Sequence, residues 1–363
     1  MDVIDIVREI APAVSTPEET VVSARRRLMS GISAQRRPAK ARRPRTGLRW
    51  AGGLVAAGAA VAVGAVVVTN LLPVDPGDPG APPVLVPPAA SAAEVLETAA
   101  DTTLAGSAVE PAAGQYLLIE ETMSFLNLAI EDAATGDLVP MGTRENAVAG
   151  FVSARTTRLY VPADREDEWV WDLSDPWQAT ERFGDRADQA VADWERLETG
   201  VDGTPEIWRL PGGRDPQNPE NPDATVDGRE LWEQMPREPQ ALLDWFRERS
   251  GETGAAADAV AVWTMSSTLS SSLAPAELRA VIFDALALGD GMTVEDTGDG
   301  TAAFEFRVEG DGWTRTTAFT LDTATALTTE LSDLALPDGD SVVPDDVPDE
   351  HRTVRVSVVE TAP

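Results

Sequence analysis

Apolar and polar positions change rhythm several times along the chain. Near the N-terminus Val3, Val7 and Ile10 recur at helical spacing, and Ile4 and Ile6 widen that face. Thr16-Pro17-Glu18-Glu19 has the form of a helix start, with Thr as N-cap, Pro at the first helical position and Glu three residues after the cap. Val21, Ala24, Leu28 and Ile32 then form one stripe, with Arg25, Arg26 and Arg27 turned mostly away from it. The pattern predicts two short amphipathic helices within residues 1–46. So short a pair builds no stable core alone. Its apolar faces are expected to meet each other, a membrane surface or the groove of a partner protein.

The rhythm then disappears. No residue from Trp50 to Val74 is charged. At about 1.5 Å per residue this run would extend roughly 37 Å as a helix, enough for a ~30 Å hydrocarbon core. A transmembrane helix is predicted over residues 47–72. A cleaved signal peptide and a buried core helix are the competing readings. Against a signal, the preceding 49 residues are long and carry helical patterning of their own. Pro73 to Ala90, dense in proline and glycine, reads as an extended stalk.

Beyond the stalk, Ser91 and Glu94 open a capped helix over Ala92–Leu104. Gln115–Glu121, Gly150–Tyr160 and Glu168–Leu173 read as strands. A second strand-rich region contains Met292–Glu295, Ala302–Glu309, Trp313–Leu321 and Leu327–Ser332, joined by short Gly/Asp turns that imply antiparallel hairpins. Arg352–Glu360 alternates as a last strand, and helices fall near Gln240–Arg249, Ala255–Ser267 and Pro275–Leu288. The expected fold class is α+β, an antiparallel sheet with segregated helices over residues 91–363, as one domain or two small ones.

Charge orients this arrangement. Residues 1–50 hold 11 Lys/Arg against 5 Asp/Glu, while the whole chain carries −32. Basic residues crowd the N-terminal flank of the uncharged run, from Arg36 to Arg49. The positive-inside rule places the N-terminus in the cytoplasm and the acidic domain outside a plasma membrane. Beside a span, such a basic block is expected to meet anionic lipid headgroups and no nucleic acid.

Candidate catalytic chemistry is sparse. The chain has no cysteine and one histidine, His351, so imidazole- or thiolate-based metal sites and nucleophile systems lack raw material. His351 is expected to be an exposed residue at a strand start. Asp215–Asp227 is rich in oxygen ligands but lacks the Gly and Glu spacing of an EF-hand, and reads as a solvated loop. Asp338–Glu350 reads as an acidic surface linker. No cofactor and no metal is expected. Paired carboxylates occur at many spacings among 61 acidic residues, so no dyad can be located, and the lack of any catalytic motif makes a carboxylate hydrolase the least supported functional class. Most of the ten tryptophans lie between Trp169 and Trp263. Trp169, Trp171 and Trp245 are candidates to line a groove for an apolar ligand, an acyl chain or a peptide, with core packing as the competing explanation.

The layout also resembles an actinobacterial family of single-pass membrane proteins often encoded beside extracytoplasmic-function sigma factors. The resemblance is carried by Glu94-Val95-Leu96, Gly114-Gln115-Tyr116-Leu117, Pro239-Gln240-Ala241-Leu242-Leu243-Asp244-Trp245, Pro275-Ala276-Glu277-Leu278-Arg279-Ala280 and Phe319 to Leu327. The order of elements is similar to half-barrel folds of the periplasmic lipoprotein-carrier type, shared by sensor domains of some sigma-factor regulators. This likeness implies a non-enzymatic envelope sensor, coupled through Val21, Ala24, Leu28 and Ile32 to a cytoplasmic partner such as a sigma factor. The alternative is a membrane-anchored lipid- or peptide-binding protein.

Overall fold

A computed structural model describes residues 90–106, 109–199, 207–215 and 224–363. The expected helix pair, membrane span and most of the stalk lie outside the described residues. Among the described residues, no helix is long and apolar enough to cross a membrane.

The first element, α1 (Ala92–Leu104), starts as the sequence predicts. Ser91 donates its backbone N–H to the Glu94 carboxylate at 2.7 Å, and the Glu94 N–H returns a bond to the Ser91 hydroxyl at 3.3 Å. Then come β1 (Tyr116–Glu131), β2 (Leu138–Val139), β3 (Ala149–Pro162), β4 (Glu168–Asp172) and β5 (Gln178–Phe183). They are followed by α2 (Ala187–Thr199), β6 (Ile207–Pro211) and a 3₁₀ turn at Arg229–Leu231. Three helices run in succession, α3 (Pro239–Ser250), α4 (Ala255–Ser270) and α5 (Ala276–Ala287). The chain ends in β7 (Met292–Asp296), β8 (Thr301–Gly310), β9 (Trp313–Asp322), β10 (Leu327–Pro337) and β11 (Glu350–Val359).

All eleven strands join one antiparallel sheet in the order β6-β4-β3-β1-β11-β10-β9-β8-β7, with β2 and β5 paired to β1 and β3. The sheet is open, because β6 and β7 are its two ends. The expected α+β class with an antiparallel sheet is therefore present, and the two strand-rich regions form a single sheet. Ala90–Pro363 belongs to one compact unit.

One face of the sheet carries the core. Leu117 and Ile119 of β1, Val161 of β3, Trp169 of β4, Phe304 of β8, Phe319 of β9 and Leu331 of β10 are buried against Leu96, Leu242, Met265, Ile282 and Phe283 of the helices. Helix α4 contacts β8, β9 and β10 on one side and α3 and α5 on the other. This explains its sequence, AAADAVAVWTMSSTLS, whose buried positions lie on more than one side. A helix enclosed on several sides has no need of a polar stripe. Further along the same face, Ala129, Ala149 and Phe151 form a second cluster with Ala190 and Val191 of α2. On this face of β1, Glu121, Met123, Phe125 and Asn127 lie between the two clusters.

Candidate ligand cavity

The site is built on β-sheet register. Leu159 of β3 stands opposite Ile119 of β1 and Trp171 of β4, while Glu121 stands opposite Thr157 and Val354. These six side chains share the helix-facing side of the sheet, because positions two apart on a strand point the same way. With Arg352 of β11 they form one wall of a cavity of about 340 Å³. The last two turns of α4 supply the opposite wall through Thr264, Ser267 and Thr268, spaced three and four residues apart, followed by Ser271. The segment around the 3₁₀ turn closes it with Val226, Asp227, Leu231, Trp232 and Met235.

The helix wall is lined by hydroxyls turned onto their own backbone. Thr264 donates to the Val260 carbonyl at 2.7 Å, Thr268 to that of Thr264 at 2.8 Å and Ser271 to that of Thr268 at 3.1 Å. The Ser267 hydroxyl is buried and has no partner, and so is Oδ2 of Asp227. The Asp227 side chain is inaccessible to solvent, and its Oδ1 lies 3.7 Å from Nε of Arg229.

The charged end is a carboxylate–guanidinium group. Arg352 lies 3.5 Å from Glu121, donates to Glu350 at 2.6 Å and stands 5.7 Å over the Trp263 ring. Burial pushes the Glu121 carboxyl above the ordinary range although Arg352 pulls it down, and Glu350 adds to the rise. For Glu350 burial again outweighs Arg352 and raises the value. Behind this pair, Arg315 grips Asp333 through two bonds of 2.8 and 2.9 Å, and Thr317 adds a third at 3.3 Å.

The three candidate tryptophans are separated. Trp171 lines the cavity and meets Trp208 edge-on, with centroids 5.8 Å apart. Trp169 is fully buried, donates from Nε1 to the Arg165 carbonyl at 2.9 Å and lies under Arg229. Gly213, at φ 71°, passes so close that an added Cβ would stand 3.0 Å from this ring. Trp245 lies on α3 against Phe246, with Arg249 4.6 Å over its ring, and is not among the cavity-lining residues. Val21, Ala24, Leu28 and Ile32 lie outside the described residues.

Two contributors had no separate sequence signal, the Glu121–Arg352 pair and the Val226–Met235 segment. The Ser/Thr-rich stretch from Thr264 to Ser272 is a visible mark, unusual for a buried helix end. His351 pairs with Glu330 at 2.7 Å on the opposite face of the sheet, away from the cavity. Among the described residues, no group of three or more His, Asp or Glu could hold a metal ion. The arrangement presents an apolar sheet wall, a hydroxyl wall and an ionic end, and no imidazole lines it. No known protein family, curated protein or solved structure matches this chain.

Proposed function

We propose that this chain is a non-enzymatic, single-pass envelope protein whose outer domain receives an apolar or amphipathic ligand. In this reading its N-terminal helix pair couples the domain to a cytoplasmic partner such as a sigma factor. The observation that carries the reading is the cavity between the sheet and α4. Its volume falls within the range of small-molecule sites, about 300–1,000 Å³. Ile119, Leu159, Trp171 and Val354 suit an acyl chain or an apolar peptide side chain, while Ser267 and the Glu121–Arg352 pair suit a polar end. An open sheet with helices against one face is compatible with a half-barrel of the lipoprotein-carrier type. The uncharged run from Trp50 to Val74, with arginines on its N-terminal flank, supports a plasma-membrane anchor with the N-terminus inside.

The full-length protein, purified from membranes in mild detergent, tests the binding step by native mass spectrometry. A co-purified amphiphile is expected, and Ser267→Trp, which fills the cavity from α4, is expected to lose it. Wild-type protein that is ligand-free and takes up no added fatty acid or apolar peptide would refute the reading. Photo-crosslinking from Leu28 tests the coupling. Capture of a sigma factor that changes with Ser267→Trp supports it, and capture of none leaves the simpler alternative, an anchored lipid- or peptide-binding protein.

A further inference from the structure

We propose that Arg279 and Arg165 form an anion-binding site at the N-terminal end of α5, shaped for a phosphate group. Arg279 is the fourth residue of α5 and is only 4% exposed. Its Nε has no hydrogen-bond partner, and no guanidinium nitrogen bonds or pairs with a described residue, while its backbone N–H donates to the Pro275 carbonyl at 3.0 Å. A guanidinium has five N–H donors and stays charged, so burying it unpaired is strongly unfavourable. Most buried arginines avoid this with a carboxylate. The other charged group acting on Arg279 is of the same sign: beyond burial, Arg165 pushes its proton affinity further down.

Arg165 comes from the turn between β3 and β4 and donates to the Leu273 carbonyl at 2.7 Å, just before α5 begins. Burial lowers its proton affinity too; Asp227 and Glu110 oppose this and Arg229 reinforces it. Asp227 is shared with Arg229, whose Nε lies 3.7 Å from its Oδ1. The two arginines therefore bring excess positive charge to the start of α5. That end has Pro275 as N-cap and no side-chain capping bond. Helix side chains lean toward the N-terminus, so the Arg279 guanidinium and the orphan N–H groups of the first turn serve the same end. Two guanidinium forks and a helix N-terminus are the donor set that phosphate oxygens accept from. Arg165 is reached from a groove of about 790 Å³, whose other charged lining residues are Asp164, Asp167, Glu168 and Arg209. The proposal does not depend on the apolar cavity.

The test is thermal unfolding of the full-length protein in detergent at fixed ionic strength, titrated with inorganic phosphate and, separately, with dihexanoyl phosphatidic acid. The midpoint of the wild type is expected to rise with at least one of them. A response to inorganic phosphate assigns a free anion, and a response to the lipid alone assigns a phospholipid headgroup. Arg279→Met is expected to unfold no earlier than wild type without the anion, because the unpaired charge is gone, and to weaken the response about tenfold or more. Arg165→Met keeps the test decisive if Arg279→Met does not fold, and is expected to weaken the response similarly. A wild-type midpoint indifferent to both probes, or an equal response in both variants, overturns the proposal.

Discussion

Arg144 and Asp349 are 205 residues apart in sequence and 3.0 Å apart in space. The Arg144 side chain is 4% exposed, and it also donates to the carbonyls of Pro344 and Val347. Asp349 accepts a second bond, from the Ala335 N–H at 2.8 Å. The acidic stretch 338–349 is thereby pinned across the sheet, with Val343 buried against Gly150. What reads in sequence as a surface linker is thus a strap held by an ion pair whose arginine is buried and whose carboxylate is partly exposed. Asp349→Ala leaves the Arg144 guanidinium without its carboxylate, and a loss of about 3 kcal/mol is expected. Urea unfolding of Asp349→Ala, Arg144→Met and the double variant measures the coupling. Additive losses would show that the pair does not hold the strap.

Acid is expected to strengthen this fold before it weakens it. Burial raises the carboxyls of Glu121 and Glu350 above the ordinary 4.5, and that of Asp349 above 3.8, in each case against a neighbouring arginine. A carboxyl raised in the folded state contributes stability that is fully present below its unfolded value and is lost as pH rises through its folded value. Lowering pH from about 7 toward 5 should therefore raise the thermal midpoint. Glu94 and Asp299, both lowered by hydrogen bonds, act in the opposite sense and lose their contribution only as pH falls through their own lower values. Glu121→Gln should flatten the rise above pH 5. A variant with the same pH slope as wild type would remove Glu121 from this account.

Trp169 and Trp171, two residues apart on one strand, should separate stability from binding. Trp169 is inaccessible to solvent and held by the Arg165 carbonyl, so Trp169→Ala is expected to cost about 3–5 kcal/mol. Trp171→Ala enlarges the cavity and should reduce affinity for an apolar ligand with a smaller loss of stability. Fluorescence-detected unfolding and ligand titration on both variants decide it. Equal effects on both readouts would mean that Trp171 is ordinary core.

The Ser266 hydroxyl is fully buried on α4 without a partner. An unsatisfied buried hydroxyl costs about 1–3 kcal/mol, so Ser266→Ala should stabilise the protein by up to about 1 kcal/mol. Chemical denaturation of the single variant is sufficient, and a clear destabilisation would point to a bond made by that hydroxyl.

The legible parts of the sequence were those written locally. The Ser91/Glu94 capping box and the Gly/Asp turns of β7–β10 each announce an element by neighbouring residues, and those elements lie where expected. Strand β1 runs ten residues past Glu121, because Glu121, Thr122 and Ser124 interrupt the apolar signal while their backbone still pairs with β3 and β11. Helix α2 is written in Ala187, Ala190, Val191 and Trp194, a stripe so short and alanine-rich that only its packing on β3 and β5 makes it distinct. The cavity was hardest to read. Glu121, Trp171, Asp227, Ser267 and Arg352 come from five separate segments, and only register and helix placement unite them.

The pairing of β1 with β11 has a consequence for the order of assembly. The first strand of the sheet takes its central neighbour from the sheet's last strand in sequence, with Tyr116 opposite Val359. Until that last segment has left the ribosome, β1 with β3 and β4, and β10 with β9 and β8, are two half-sheets, each with a bare inner edge. Exposed edges recruit other strands, and such long-range pairing is slow to form. Newly made chains are therefore most vulnerable to aggregation before β11 emerges, and truncation ahead of Glu350 should trap them in that state.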